Sequence, residues 1–316
     1  MSARPKAPHR HERAKFLADG GMETTLIFHE GLDLPLFAAF TLMRNAEGRG
    51  QIERYFRPYL ELARDRGVGF VLDTPTWRAS PDWGERLGFG AKDLASIDRD
   101  SILLASDLRA EYDSESAQVL INGVVGPRGD GYQSSTMSID DACVYHAPQV
   151  EIFARAGADR VSAITMTTVE EATGIALAAL ESDIPSVISF TVETDGKLPG
   201  GFTIGDAIAA VEDETDGAPL FYMINCAHPS HFEAELGRQP QWLSRIGGIR
   251  ANASTKSHAE LDNSTELDEG DPAGLAERYR RLMAMLPNLQ VLGGCCGTDH
   301  RHIAAIADAC VGKHVH

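Results

Sequence analysis

Apolar positions along the chain fall into short, nearly unbroken runs, and segments of helical period fill the spaces between them. The runs lie at 16–21 (FLADGG), 68–76 (VGFVLDTPT), 119–127 (VLINGVVGP) and 159–168 (DRVSAITMTT). They continue at 184–193 (IPSVISFTVE), 219–227 (PLFYMINCA), 245–254 (RIGGIRANAS) and 289–297 (LQVLGGCCG). Several are apolar at consecutive positions, which predicts strands buried on both faces, as in a parallel sheet covered by helices. Between the runs, residues 272–286 put Leu275, Tyr279, Leu282 and Leu286 on one stripe, with Pro272 early in the helix, where its missing N–H costs little. Residues 49–66 and 148–156 carry a similar period, each followed by a glycine (Gly67, Gly157) where a C-cap belongs. The acidic, Ser/Thr/Asn-rich stretch 257–271 reads as one long loop. This alternation predicts an α/β fold, a single (β/α)8 TIM barrel over residues 16–316, preceded by a flexible N-terminal arm at 1–15. An open doubly wound sheet is the alternative, but no G-x-G-x-x-G follows the first run.

Charge narrows the partners. The 316 residues include 46 acidic and 29 basic side chains, a formal charge of −17. Such a surface repels phosphate backbones and anionic lipid, so neither nucleic acid nor a membrane is an expected partner. No apolar run is long enough to span a bilayer, and the basic start MSARPKAPHRHERAKF has no apolar core of a secretory signal. Five cysteines, an odd number in a long chain, argue against a disulfide framework and for the cytoplasm. The pattern leaves the oligomeric state open.

The cysteines carry the candidate chemistry. Cys226 ends the sixth run, and Cys295 and Cys296 end the eighth. In a barrel these ends share the C-terminal rim, where active sites are built. Three thiolates there suit Zn2+, which favours sulfur and tetrahedral geometry, and they leave its fourth position open for a substrate. Adjacent cysteines in an extended strand would point to opposite faces, so both can reach one ion only if the backbone turns. The neighbouring Gly293, Gly294 and Gly297 allow that turn. A vicinal disulfide or redox switch at Cys295–Cys296 is the competing reading, and His228 is a candidate fourth ligand. Cys143 and Cys310 fall within helical patterns and read as small hydrophobes.

With Asp19-Gly20-Gly21 after the first run, Asn225–Cys226 and Gly293-Gly294-Cys295-Cys296, the sequence resembles the homocysteine S-methyltransferase family over about residues 16–310. Thr74, Thr76, Gly126–Pro127, Glu170–Glu171 and Asn252 add weaker matches. The resemblance implies a barrel with one Zn2+ on Cys226, Cys295 and Cys296, whose role is to hold the acceptor as its thiolate. No further catalytic side chain is implied. The implied partners are small molecules: a thiol acceptor, homocysteine giving methionine, and a sulfonium or ammonium methyl donor such as S-methylmethionine, S-adenosylmethionine or betaine. The chain is too short for additional folate- and cobalamin-binding modules. Acceptor contacts are implied for Asp19, Gly20 and Gly21, with further substrate contacts from Thr74, Thr76 and Asn225.

The sequence departs from the family at one position. Where relatives carry a glutamate that binds the acceptor's ammonium, this chain has Ile164, which cannot accept a hydrogen bond. Glu193, at the end of the fifth run, is the candidate substitute. If none exists, the substrate is a small thiol without the amino group, methylated or demethylated. A non-catalytic zinc or redox sensor is the reading from another class. Trp77 and Trp83 in the loop after the second run, and Tyr132 in the next, are candidate aromatic faces for a cationic donor, with Trp77 the first choice.

Overall fold

The computed structural model describes residues 14–134, 136–238 and 241–311. Eight strands close into one parallel barrel in chain order: β1 (Phe16–Leu17), β2 (Gly69–Asp73), β3 (Val119–Val125), β4 (Arg160–Met166), β5 (Ser186–Phe190), β6 (Tyr222–Asn225), β7 (Ile246–Ala251) and β8 (Val291–Gly294), with β8 pairing back onto β1. Each expected run contains one strand but overshoots it. The last residues of each run leave the ladder to form the rim, and the first run gives only two paired residues before its Asp-Gly-Gly turn.

The helices are α1 (Met22–Thr24), α2 (Ala46–Arg66), α3 (Pro81–Leu87), α4 (Ala91–Tyr112), α5 (Ile139–Ala156), α6 (Val169–Glu181), α7 (Ile204–Thr215), α8 (Glu233–Leu236), α9 (His258–Asp262), α10 (Pro272–Met285) and α11 (His300–Cys310). The expected C-caps are present: Gly67 and Gly157 end α2 and α5 at φ 61° and 96°. Pro148, expected near a helix start, lies inside α5, which begins at Ile139 behind its Ser138 cap. The stretch read as one loop at 257–271 contains α9, whose Ser257 and Glu260 form a capping box. After β6 the helical layer thins to the four residues of α8 and the 3-10 turn Gln241–Arg245.

Side chains alternate along each strand, and the alternation sorts the core into two layers. Leu17, Phe70, Leu72, Ile121, Ile188, Ile249 and Leu292 face the helices, whereas Val71, Val124, Ile164, Val187 and Met223 share a second cluster with Phe16 and Val291 inside the barrel. The interior is not wholly apolar: Asp73, Asn122, Arg160, Ser162, Ser189, Asn225 and Arg250 are buried on the same strands. The expected arm falls mainly on residues 1–13, outside the described residues. Of its remainder, the Lys15 carbonyl accepts from the Gly69 amide at 3.0 Å and its ammonium donates to the Leu289 carbonyl. Among the described residues, no helix is long and apolar enough to cross a membrane.

Candidate active site

At the C-terminal end of the barrel, a charged layer forms the floor. Arg250 on β7 reaches across the interior to Asp19 and Asp73. Asp19 also accepts from Tyr55 Oη at 2.9 Å, and Asp73 from Asn122 Nδ2 at 2.6 Å. Burial pushes the Asp19 carboxyl up to about 7, against the pull of Arg250. The aspartate of the Asp-Gly-Gly motif is therefore bound by the protein itself. Its glycines act through their lack of a side chain: a Cβ on Gly20 would stand 2.6 Å from the Thr298 carbonyl oxygen, and one on Gly21 2.6 Å from that of Cys295. The turn after β1 thus packs directly against the cysteine turn after β8.

That second turn brings the adjacent cysteines to one side. The Thr298 amide returns to the Cys295 carbonyl at 3.1 Å, with Gly297 between them at φ 78°. Across from it, Cys226 holds φ 53°, a left-handed conformation uncommon for a residue with a Cβ. Its carbonyl is fastened by Asn252 Nδ2 at 3.0 Å, His258 Nε2 at 2.6 Å and Thr191 Oγ1 at 3.4 Å, contacts that hold the unfavourable conformation in place. The three sulfurs lie within 4.8 Å of one another, and Cys226 and Cys296 are 3.7 Å apart. Thiolates bound tetrahedrally to zinc at about 2.3 Å would stand about 3.8 Å from each other, so the donor set fits such an ion. Hydrogen bonds from Cys226 and Cys296 hold the Cys295 thiol well below its ordinary value, and those two are driven up by the same hydrogen bonding.

His228 is not in the trio: its Nδ1 meets Ser230 Oγ at 2.7 Å, capping the turn Pro229–His231. Cys143 and Cys310 sit in α5 and α11, partly buried against the helix-side core.

A pocket opens onto the sulfurs. Of the residues expected to bind substrate, Asp19, Gly20, Gly21, Thr74, Trp77 and Asn225 line it, whereas Thr76 and Glu193 do not. Thr76 is fully buried and donates to the Val124 carbonyl at 2.7 Å, with Thr74 Oγ1 at 2.6 Å from its hydroxyl. Asn225 is tied to its neighbours: its Oδ1 accepts from the Thr165 amide and Ser189 Oγ, and one N–H of its Nδ2 donates to Thr165 Oγ1. It pins Thr165, which is itself at φ 66°. Glu193 Oε1 lies 3.0 Å from His258 Nδ1 and so orients the histidine that holds Cys226.

The outer walls are aromatic and charged. Tyr132 stacks on His258, centroids 4.0 Å apart, and places its hydroxyl 3.8 Å from both Cys226 Sγ and Cys296 Sγ. Trp77 lines the pocket and donates from Nε1 to the Ile164 carbonyl at 3.1 Å. Trp83 is buried away from the lining, its ring 4.1 Å from the Arg78 guanidinium carbon. Four residues that the sequence reading did not single out are prominent here: Glu23, Arg78, Arg250 and His258. Only Arg250 left a signal, a charge between the apolar Ile249 and Ala251 of a buried strand. Burial pushes the Glu23 carboxyl up to about 7. Behind the wall, the motif residue Glu171 accepts from the Arg128 amide at 2.6 Å and meets His146 Nε2 at 3.0 Å, anchoring the loop that carries Tyr132.

Comparison with known proteins agrees with this architecture. The profile of the family described as homocysteine S-methyltransferase matches residues 16–310. The selenocysteine Se-methyltransferase of Brassica oleracea var. italica is 24% identical, over 94% of this chain and 89% of that protein. The homocysteine S-methyltransferase of Escherichia coli K12 is 26% identical, over 92% of this chain and 93% of that one. The crystal structure of the metallated E. coli homocysteine methyltransferase superposes with a TM-score of 0.71 at 20% identity, covering 93% of this chain and 96% of that one. Barrel, cysteine turn and sequence thus agree, and the chain belongs to the homocysteine S-methyltransferase family of methyltransferases.

Proposed function

We propose that the protein moves a methyl group from a sulfonium or quaternary ammonium donor onto homocysteine, using Zn2+ held by Cys226, Cys295 and Cys296. The observation that carries this reading is the convergence of three thiols, at zinc-compatible spacing, on the floor of a pocket. Bound there, the ion would stabilise the acceptor's sulfur as the thiolate at neutral pH. The acceptor loses its thiol proton to solvent, and its sulfur forms a bond to the methyl carbon. The donor's C–S or C–N bond breaks, and the pair stays on the donor heteroatom, which becomes neutral.

The chain's own residues align and select the partners. In-line displacement depends on holding sulfur, methyl and leaving group in one axis, so rigid walls contribute to rate. Trp77, fixed by its hydrogen bond to the Ile164 carbonyl, and Tyr132, stacked on His258, offer faces to an onium methyl group. Each such cation–π contact contributes about 0.5–2 kcal/mol. The free thiols of all five cysteines suit a reducing compartment, the cytoplasm.

A second reading is favoured by Ile164 on the pocket wall: an acceptor thiol without an amino group. The test of the main reading offers S-methylmethionine, S-adenosylmethionine and betaine to the zinc-loaded protein with homocysteine. Methionine should form with at least one donor and should stop on chelation. A zinc-loaded protein that makes no methionine from any of them would sink the proposal.

A further inference from the structure

We infer that Glu23 recognises the ammonium group of the acceptor, a role that decides between an amino-acid thiol and a plain one. The inference rests on the proposed function and adds the residue that sets its acceptor.

Five carboxylates line the pocket, and the hydrogen bonds separate them. Asp19 and Asp73 are spent on Arg250, with Tyr55 and Asn122 completing their shells. Asp130 accepts from the Tyr132 amide at 2.9 Å and so shapes its own loop. Asp262, at the end of α9, is exposed and can be satisfied by water. Glu23 is different. It is partly buried on α1, two residues after the Asp-Gly-Gly turn, and among the described residues no other side chain hydrogen-bonds or ion-pairs with it. Burial disfavours its charged form more than its own backbone amide and the nearby Arg78 charge favour it, and an incoming cation with N–H groups offsets that cost.

Chemistry then tells the two cations apart. A sulfonium or quaternary ammonium centre has no N–H to donate, and aromatic faces satisfy it instead. A primary ammonium needs acceptors. Glu23 lines the same pocket as the sulfurs that would hold the acceptor's end of the reaction, and its charge is felt by Cys295. The acceptor's nitrogen and sulfur are four bonds apart, and Glu23 and the thiol trio line one pocket that a single small molecule would enter. Ile164, on β4, supplies only hydrocarbon, and its carbonyl is already taken by Trp77.

The experiment compares homocysteine with 4-mercaptobutyrate, the same chain without the amino group, on zinc-loaded wild type, Glu23→Gln and Asp130→Asn. Both the ratio of their kcat/KM values and their direct binding by calorimetry are read. The expected result is a preference for homocysteine in the wild type that falls about 10- to 100-fold in Glu23→Gln, the loss of one charged hydrogen bond. Asp130→Asn should leave the ratio within about threefold, since its carboxylate serves its own loop. An equal loss on both thiols, an unchanged ratio, or a Glu23→Gln effect confined to the KM of S-methylmethionine would each overturn the assignment. If the wild type methylates neither thiol, the functional reading fails, and calorimetry alone still decides whether Glu23 discriminates between them.

Discussion

The charged layer and the thiol trio lie against each other at the top of the same barrel, the first buried and the second partly open, and only the first is complete. Arg250 sits between Asp19 and Asp73, and Tyr55 and Asn122 take the remaining oxygens. Every charge there has its partner within the chain, so the layer needs nothing from outside. Among the described residues, no basic side chain hydrogen-bonds or ion-pairs with the three thiols of the trio, and the Tyr132 hydroxyl stands 3.8 Å from two of them. A closed network holds the fold, whereas an open one is a place for an ion and a substrate.

The largest expected effect breaks the open side. Cys226→Ser should lose the metal and lower methyl transfer by about a thousandfold or more, the scale of removing a metal's several kcal/mol of stabilisation. Metal-free wild type and variant should nevertheless unfold in urea within about 1 kcal/mol of each other. Metal analysis alongside urea titration checks both. A variant that does not fold would show the trio to be structural and erase the contrast with the layer below.

The next effect breaks the closed side. Arg250→Met leaves Asp19 and Asp73 buried without the cation that bonds to both, with Arg160 reaching Asp73 only through Asn122. Removing one partner of a buried ion pair costs roughly 3–5 kcal/mol, which should appear as a large drop in urea stability measured without metal. If stability held within about 1 kcal/mol, the layer would be no foundation for the site, and Asp19 would be free for a ligand role.

How far the sequence carried this picture depends on which physics is local. Strand–helix alternation is a property of neighbouring residues, and the eight runs at 16–21 through 289–297 each contain a barrel strand. Closure follows from counting them. The three cysteines were legible because strand ends in a barrel share a rim, whatever the loops between them do. Hydrogen-bond commitments were not legible. Asp19 and Asn225 stand at the pocket, but their side chains are occupied by Arg250 and by Thr165 and Ser189, partners remote in sequence. Glu193 points to His258, itself inside a stretch read as loop. Glu23, two residues beyond the motif, gave no signal, since nothing in its neighbours tells a pocket-facing carboxylate from a solvated one.

The smallest effect joins the two regions. Gly20 lies between Asp19 of the charged layer and the cysteine turn, and an added Cβ would meet the Thr298 carbonyl oxygen at 2.6 Å and the Asp299 Cα at 3.1 Å. Both obstacles are backbone, so they cannot rotate aside; the turns after β1 and β8 must separate by several tenths of an ångström. Overpacking of this kind costs roughly 1–3 kcal/mol. If the strain falls on the Cys295–Thr298 turn, which is closed by the Thr298 amide at 3.1 Å, Gly20→Ala weakens metal affinity about tenfold, on the scale of supporting-residue changes at metal sites. If it falls on Asp19 instead, the metal-free protein loses stability and zinc affinity stays put. Zinc titration against a competing chelator, set beside urea unfolding without metal, separates the outcomes. The packing predicts the first, because the contact is with the cysteine turn and the Asp19 carboxylate is held on its far side by Arg250 and Tyr55.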